Sequence, residues 1–405
     1  MPEAVIVATA RSPIGRAFKG SLINMRPDDL SAFIIKAVLD KVPNLDPSTV
    51  EDVLFGCGQP AGESGYNIAR NAAVLAGLDA PGVTVNRYCS SSLQTIRMAA
   101  HAIKAGEGDV FVAGGVECVS RFAQGKADGM PNTMNPKFAE AQARTAKFAQ
   151  GEGDWQPGTG LPDVYVTMLQ TAENVAQYKG IGREEQDAFA AASQQRAEAA
   201  QKSGFFDREI TPVTTPDGKV VDKDDGPRWG TTAEKLGGLK PVLAEQMGDK
   251  ATITAGNACP LNDGAAAVVV MSDTRAKELG IEPIARFVST GVSSLNPEIM
   301  GLGPIEASQQ ALERAGLSVK DIDVAEINEA FAAQVIPSMR ELGIPHEKLN
   351  ISGGAIALGH PFGMTGSRIM CTLLNNLQTQ GGRYGLETMC VGGGQGMAII
   401  VERLS

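Results

Sequence analysis

Cys89 stands where a strand pattern gives way to a helix pattern, in VTVNRYCSSSLQTIRMAAHAI. A cysteine at the start of a helix feels the positive end of the helix dipole, which favours the nucleophilic thiolate. The setting predicts a covalent nucleophile, although a buried structural thiol is the commoner fate of any one cysteine. His360 lies in GGAIALGHPFGMTGSR, flanked by Gly359, Pro361 and Gly363. The tight turn forced there presents the imidazole, and a histidine near neutrality can take a proton from a thiol; a satisfied loop histidine is the bland alternative. His101 in an Ala/Ile-rich helix and His346 in a polar loop read as structural or solvent-exposed. Cys390 runs into Gly392–Gly394 in LETMCVGGGQGMAIIV. Backbone without side chains lets a ligand come close and offers N–H groups to an oxyanion. A core cysteine is the alternative there. Asn328, in EINEAFAAQ, can hold a water or donate to a carbonyl oxygen. Together with Glu329 it equally suits the cap of the following helix.

The elements that position these residues occur twice. Residues 45–56 (LDPSTVEDVLFG) and 317–328 (LSVKDIDVAEIN) each follow an amphipathic helical stretch, around 29–42 and 304–315, and each carry an apolar strand after an acidic turn. A Gly- or Ser-rich turn opening a helix comes next in both, at Cys89 and at His360. An apolar strand ending in glycines follows, near 108–117 and 384–396. Three blocks recurring in one order point to a duplicated α/β fold. Alternating strands and helices predict parallel sheets with helices packed on them. Between the halves, residues 121–250 hold Pro/Gly/Asp-rich turns around one helix at 183–203. A long insertion of this kind predicts a loop or lid domain.

With 405 residues the chain is too long for one small core, and 20% charged residues is an ordinary globular composition. A net charge of -10 argues against nucleic acid as the main partner, but leaves room for an anionic ligand held by local Lys/Arg and helix N-termini. The opening residues carry no basic n-region and too short an apolar run for a signal segment. No stretch approaches the roughly 20 apolar residues of a membrane span, so a cytoplasmic protein is expected. The six cysteines include no CxxC pair. This disfavours zinc or a disulfide framework, and no metal is expected.

Taken together, VIVATARSPIGR, NRYCSSSLQ, AGGVECVSR, TAENVA, TTAEKLGGLKPV, TAGNACPLNDGAA, MGLGP, INEAFAAQ, ISGGAIALGHPFGMTGSR and CVGGGQG resemble the thiolase family over essentially the whole chain. The resemblance implies a five-layered αβαβα sandwich of two duplicated halves: 1–120, completed by about 251–275, and 276–405, with 121–250 as the inserted loop domain. It implies CoA-dependent cleavage of 3-ketoacyl-CoA, or the reverse condensation of acetyl-CoA. Cys89 would carry the acyl group and His360 would be its base. Cys390 would exchange a proton with the α-carbon of acetyl-CoA. A water held by Asn328 would join His360 in one oxyanion hole, and the N–H groups of Cys89 and Gly392 would form another. Arg228, Ala255 and Cys259 match positions that contact coenzyme A, and Met168 and Phe331 match the substrate pocket. Coenzyme A and acyl-CoA would be substrates, with no permanently bound cofactor, in a homodimer or homotetramer.

Three positions depart from the family pattern. Ser92 stands for a glycine after CSS, Cys259 for a serine, and Leu169 for a glycine before TAEN. All lie near the cofactor or acyl pocket by resemblance and favour a degradative or broad-range enzyme. Two rivals remain. One is a decarboxylating ketoacyl synthase, which needs a Cys–His–His or Cys–His–Asn set. The other is a non-catalytic CoA- or lipid-binding subunit.

Overall fold

The computed structural model describes residues 2–124 and 131–405. Residues 125–130, within the stretch expected to form the loop domain, lie outside the described residues.

The chain opens with β1 (Ala4–Arg11), β2 (Gly15–Arg16), α1 (Pro27–Asp40), β3 (Asp52–Gly56), α2 (Ile68–Ala76), β4 (Gly82–Val85), α3 (Ser91–Ala105) and β5 (Val110–Cys118). The intervening region holds α4 (Ala139–Ala149), α5 (Met168–Lys179), α6 (Arg183–Lys202), the strand pair β6 (Val213–Thr214) and β7 (Val220–Val221), α7 (Ala233–Gly237) and α8 (Ala244–Met247). Then come β8 (Asn262–Ser272), α9 (Asp273–Glu278), β9 (Ala285–Ser294), α10 (Gly303–Ala315), β10 (Val324–Ile327), α11 (Ala332–Leu342), α12 (Ala355–Leu358), α13 (Thr365–Gln380), β11 (Tyr384–Val391) and β12 (Gln395–Arg403). Local chemistry sets many of the ends. Pro27 begins α1, with Asp28 and Asp29 in its first turn. Thr167 caps α5 through its side chain, and α3 stops at Gly106 in the left-handed region.

The main strand order is β10-β11-β12-β9-β1-β8-β5-β3-β4. Read outward from the β1·β9 contact, β8, β5 and β3 on one side match β12, β11 and β10 on the other. The repeated blocks of the sequence are therefore repeated in space. The sheet is mixed, however, where parallel sheets were expected. β3 pairs parallel with β4 and β5, and β10 with β11. β8 and β12 run antiparallel to their neighbours. The reason for β12 is its connection: Gly392–Gly394 joins it to β11, and three residues can turn a hairpin but cannot make a parallel crossover.

Side chains on successive residues of a strand point to opposite faces, and this alternation builds the layers. Val110, Val112 and Val116 of β5 pack with α1 and α2, through Leu30, Ile34, Ile68 and Ala72. Phe111 and Ala113 face the other way, onto Leu93, Ile96 and Ile103 of α3 and Ile369 and Leu373 of α13. Met397, Ile399 and Val401 of β12 close that central layer from the far side. Ala398 and Ile400 turn outward to α10 and α11. The result is helix, sheet, helix, sheet, helix. Each fully buried Leu or Ile in the central layer contributes about 1.5–3 kcal/mol, so α3 and α13 are rigid platforms for what they carry.

The region between the halves is tied down by charge. Arg11, fully buried, donates through Nε to Glu209 at 2.8 Å and through both Nη atoms to Asp224 at 2.8 and 3.0 Å. Such a two-pronged pairing fixes geometry as well as energy. Among the described residues no helix is long and apolar enough to cross a membrane.

Candidate active site

Cys89 sits in a single turn, Tyr88–Ser90, immediately before α3. Tyr88 is held at φ 43°, an unfavourable conformation for a side-chain-bearing residue that recurs at functional turns. Cys89 is 8% exposed. Burial pushes its thiol up to about 11, and hydrogen bonds from the backbone of Gly392 and of Cys89 itself pull the other way. The helix-start position was expected to favour a standing thiolate. Desolvation outweighs it, and Cys89 rests as a thiol that needs a base.

His360 is the buried one of the three histidines. Its ring is 1% exposed, and burial together with the positive charge of Arg368 lowers it to about 3, so it is neutral at pH 7. Nδ1 lies 2.6 Å from Thr365 Oγ1, which itself donates to the Pro361 carbonyl at 2.8 Å. Nε2 lies 3.3 Å from Nδ2 of Asn328. These partners assign the proton to Nδ1 and the lone pair to Nε2. Asn262 accepts the His360 backbone N–H at 2.9 Å and fixes the turn from β8. Asn328 is not the cap of α11, whose N-cap is Phe331. Its Oδ1 is buried and meets no protein donor among the described residues, which leaves it able to accept from water or substrate.

Cys390, one residue before the end of β11, is fully buried. Burial pushes its thiol well up, and negative charge on Cys89 or Cys259 pushes it further. The three thiols are thus close enough that charge on one disfavours charge on the others. Gly392 begins the hairpin after Cys390, and its Cα faces the Tyr88 ring. The turn therefore brings one N–H to Cys89 from the far half of the molecule.

Of the other predicted residues, Arg228 and Ala255 line one small cleft with Arg16, Gln194, Gly256 and Pro260. Cys259, the next residue from Pro260, is the one cysteine that is partly exposed. It packs with Cys390, Phe331, Met300 and Leu169 in a single apolar cluster. Met168, at the start of α5, is 39% exposed and lies outside that cluster. Thr365, Asn262 and Glu117 belong to the site and were missed. Glu117 left a signal, being the one charge inside the nine-residue, wholly buried strand β5. Among the described residues no group of three or more His, Cys, Asp and Glu side chains is placed to hold a metal ion.

Two family models cover nearly the whole chain: the thiolase N-terminal domain matches residues 4–274 and the thiolase C-terminal domain residues 281–403. The chain belongs to the thiolase family. Its relatives include a beta-ketoadipyl-CoA thiolase of Acinetobacter baylyi, 44% identical with 100% of both chains covered. A 3-ketoacyl-CoA thiolase of Bacillus subtilis is 42% identical over 99% of this chain and 100% of that one. Among solved structures, the Bacillus anthracis acetyl-CoA acetyltransferase superimposes with a TM-score of 0.84 at 37% identity, covering 100% of this chain and 99% of the other. Cys89 precedes α3 in the first part of the chain, while His360, in the turn between α12 and α13, and Cys390, near the end of β11, come from the second.

Proposed function

We propose that this thiolase carries its acyl group on Cys89. His360 Nε2 takes the thiol proton and Cys89 attacks the 3-keto carbon of a 3-ketoacyl-CoA. The imidazolium, now with a proton on both nitrogens, and a water held by Asn328 stabilise one oxyanion; the N–H groups of Cys89 and Gly392 stabilise the other. Cleavage of the carbon–carbon bond releases the enolate of acetyl-CoA, which takes a proton from Cys390. Coenzyme A then gives its proton to the Cys390 thiolate and its sulfur to the acyl group. The Cys89–acyl bond breaks, Cys89 leaves as the thiolate and takes its proton back from His360, and a shortened acyl-CoA is released. The observation that carries this reading is the Gly392 N–H directed at the sulfur of Cys89, two residues after the second thiol.

The enzyme is an acyltransferase acting on CoA thioesters, and the reverse direction is the Claisen condensation of acetyl-CoA. A ketoacyl synthase would want a Cys–His–His or Cys–His–Asn set. His101 and His346 are exposed, the first edge-on to Phe287 and the second to Phe189. The second thiol, Cys390, near enough to Cys89 to feel its charge, belongs to neither set, so malonyl decarboxylation activity would be needed to favour that rival. Our reading further holds Arg228, Ala255 and Cys259 as coenzyme A contacts and Met168 and Phe331 as substrate-pocket residues. It takes 1–120 with 251–275, and 276–405, as the two halves around 121–250, and the cytoplasm as the location. It includes a homodimer or homotetramer: β4 is an edge strand flanked by exposed Tyr66, Val74, Leu75 and Val83, a surface that a second copy can cover. It also includes acyl chains longer than acetoacetyl, and activity on acetoacetyl-CoA alone across a ladder of chain lengths would refute that part.

Intact-protein mass spectrometry after brief exposure to acetoacetyl-CoA tests the core of the proposal. A single acetyl group on Cys89, removed by free coenzyme A, is the expected result. No adduct on any cysteine of the folded protein, with acetoacetyl-CoA and with longer 3-ketoacyl-CoAs alike, would overturn it.

A further inference from the structure

Glu117 is 1% exposed near the end of β5. No Lys, Arg or His among the described residues bonds to it. Its partners are backbone N–H groups from two loops far apart in the chain. One oxygen, Oε2, accepts from Gly58 at 2.7 Å and from Gly363 at 2.9 Å. The other accepts from Gln59 at 3.3 Å and meets the Cys57 thiol at 3.6 Å. A buried carboxylate without a counter-cation is tolerated only when its lone pairs are filled in this way. Burial pushes Glu117 up to about 7, with the N–H groups of Gly58, Gly363 and Gln59 opposing.

The two loops are those that flank the chemistry. Gly58 and Gln59 follow β3, whose last residue, Gly56, lies so near the start of α3 that a Cβ there would come within 2.6 Å of the Ser91 and Ser92 backbone. That segment carries Cys89. Gly363 is three residues beyond His360, in the same turn. A single carboxylate oxygen therefore joins the floor beneath Cys89 to the turn that holds His360, across the two halves of the fold.

We propose that Glu117 is a positioning residue for acyl transfer, setting the separation of Cys89 and His360 through its shared Oε2. The proposal rests on the reading of Cys89 as nucleophile and His360 as base. A base displaced by about 1 Å costs on the order of 10²-fold in rate, while coenzyme A binding, made elsewhere, is untouched.

The test compares Glu117→Ala and Glu117→Gln with the wild type in steady-state thiolysis of one 3-ketoacyl-CoA. An acyl adduct on wild-type Cys89 is scored first, so that failure of the parent reading is seen separately. Glu117→Ala is expected to lose about 10²-fold in kcat with KM for coenzyme A within about 2-fold. Glu117→Gln keeps an oxygen for the two shared N–H groups and should recover to within about 10-fold of the wild type. If Glu117→Ala does not fold, Glu117→Asp replaces it; it keeps the charge but withdraws the oxygen by one methylene, and the same kcat loss is expected. Wild-type kcat in the folded Ala or Asp variant, a loss in Gln equal to that in Ala or Asp, or an effect confined to KM would each overturn the proposal.

Discussion

The side-chain amide of Asn328 donates to Nε2 of His360 at 3.3 Å, from the end of β10 to a turn thirty-two residues further along. The contact keeps Nε2 as an acceptor in the resting enzyme and leaves Asn328 Oδ1 with no donor among the described residues, free to accept from water or substrate. Asn328→Ala removes both the orienting donor and the water-holding oxygen. Loss of one such oxyanion group costs about 10²–10³-fold in kcat, and that loss, with little change in KM, is the expected outcome in a thiolysis assay. An unchanged kcat would assign Asn328 to the fold alone.

Under the proposed roles, the thiols of Cys89 and Cys390 should separate by half-reaction. Cys89→Ala leaves no sulfur for the acyl group, so no adduct should form with any acyl-CoA. Cys390→Ala keeps Cys89, His360 and the Gly392 N–H, and should still be acylated by a good acyl-CoA donor. Carbon–carbon cleavage, which needs the Cys390 proton, should fall by about 10²–10⁴-fold. Mass spectrometry reads the first step and acetyl-CoA release the second. Equal loss of acylation in both variants would contradict the assigned roles.

The turns that carry these three residues were legible in the sequence because local features mark them. Cys89 lies at a strand-to-helix boundary, His360 is bracketed by Gly359, Pro361 and Gly363, and Cys390 runs into glycines. Each is a backbone requirement written in neighbouring residues. The duplicated order of blocks likewise announced two matching halves. What could not be read are relations between distant segments. Glu117 meets Gly363 across 246 positions, and Asn262 meets His360 across 98. The antiparallel course of β8 depends on where the chain re-enters the sheet, which no local pattern records. The protonation of Cys89 was misread for a related reason. The helix start is visible in the sequence, while the burial that outweighs it is a property of the assembled halves.

The hairpin that delivers the Gly392 N–H depends on Gly394. That residue has φ 78°, and a Cβ on it would run into the Leu295 carbonyl and the backbone of Pro297. Both neighbours are backbone and cannot swing aside. Gly394→Ala is therefore expected to destabilise by about 1–3 kcal/mol and to lower activity by moving Gly392 away from Cys89. Thermal melting and a kcat measurement on the same preparation check both effects. A melting temperature equal to that of the wild type would show that the turn has room the structure does not reveal.

The last prediction turns on the mismatch between Cys89, raised to about 11 by burial, and His360, lowered to about 3 by burial and Arg368. A thiol at about 11 is only about 10⁻⁴ ionised at pH 7, and with the imidazole at about 3 the form in which His360 holds the Cys89 proton is only about 10⁻⁸ of the resting enzyme. The free thiolate is therefore the larger reactive form, and iodoacetamide alkylation of wild-type Cys89 should rise about tenfold for each unit of pH from about pH 5 to 8. The base acts instead during attack on the substrate, where the proton moves as the carbon–sulfur bond forms. His360→Gln removes the base but not the burial, so its alkylation profile should run parallel to the wild type while kcat for thiolysis falls by about 10²–10⁴-fold. Iodoacetamide kinetics with peptide mapping, and a thiolysis assay on the same preparations, read the two effects. A wild-type kcat in His360→Gln would mean that the general-base role has to be given up, and a flat wild-type alkylation profile would show that burial does not hold the Cys89 thiol up.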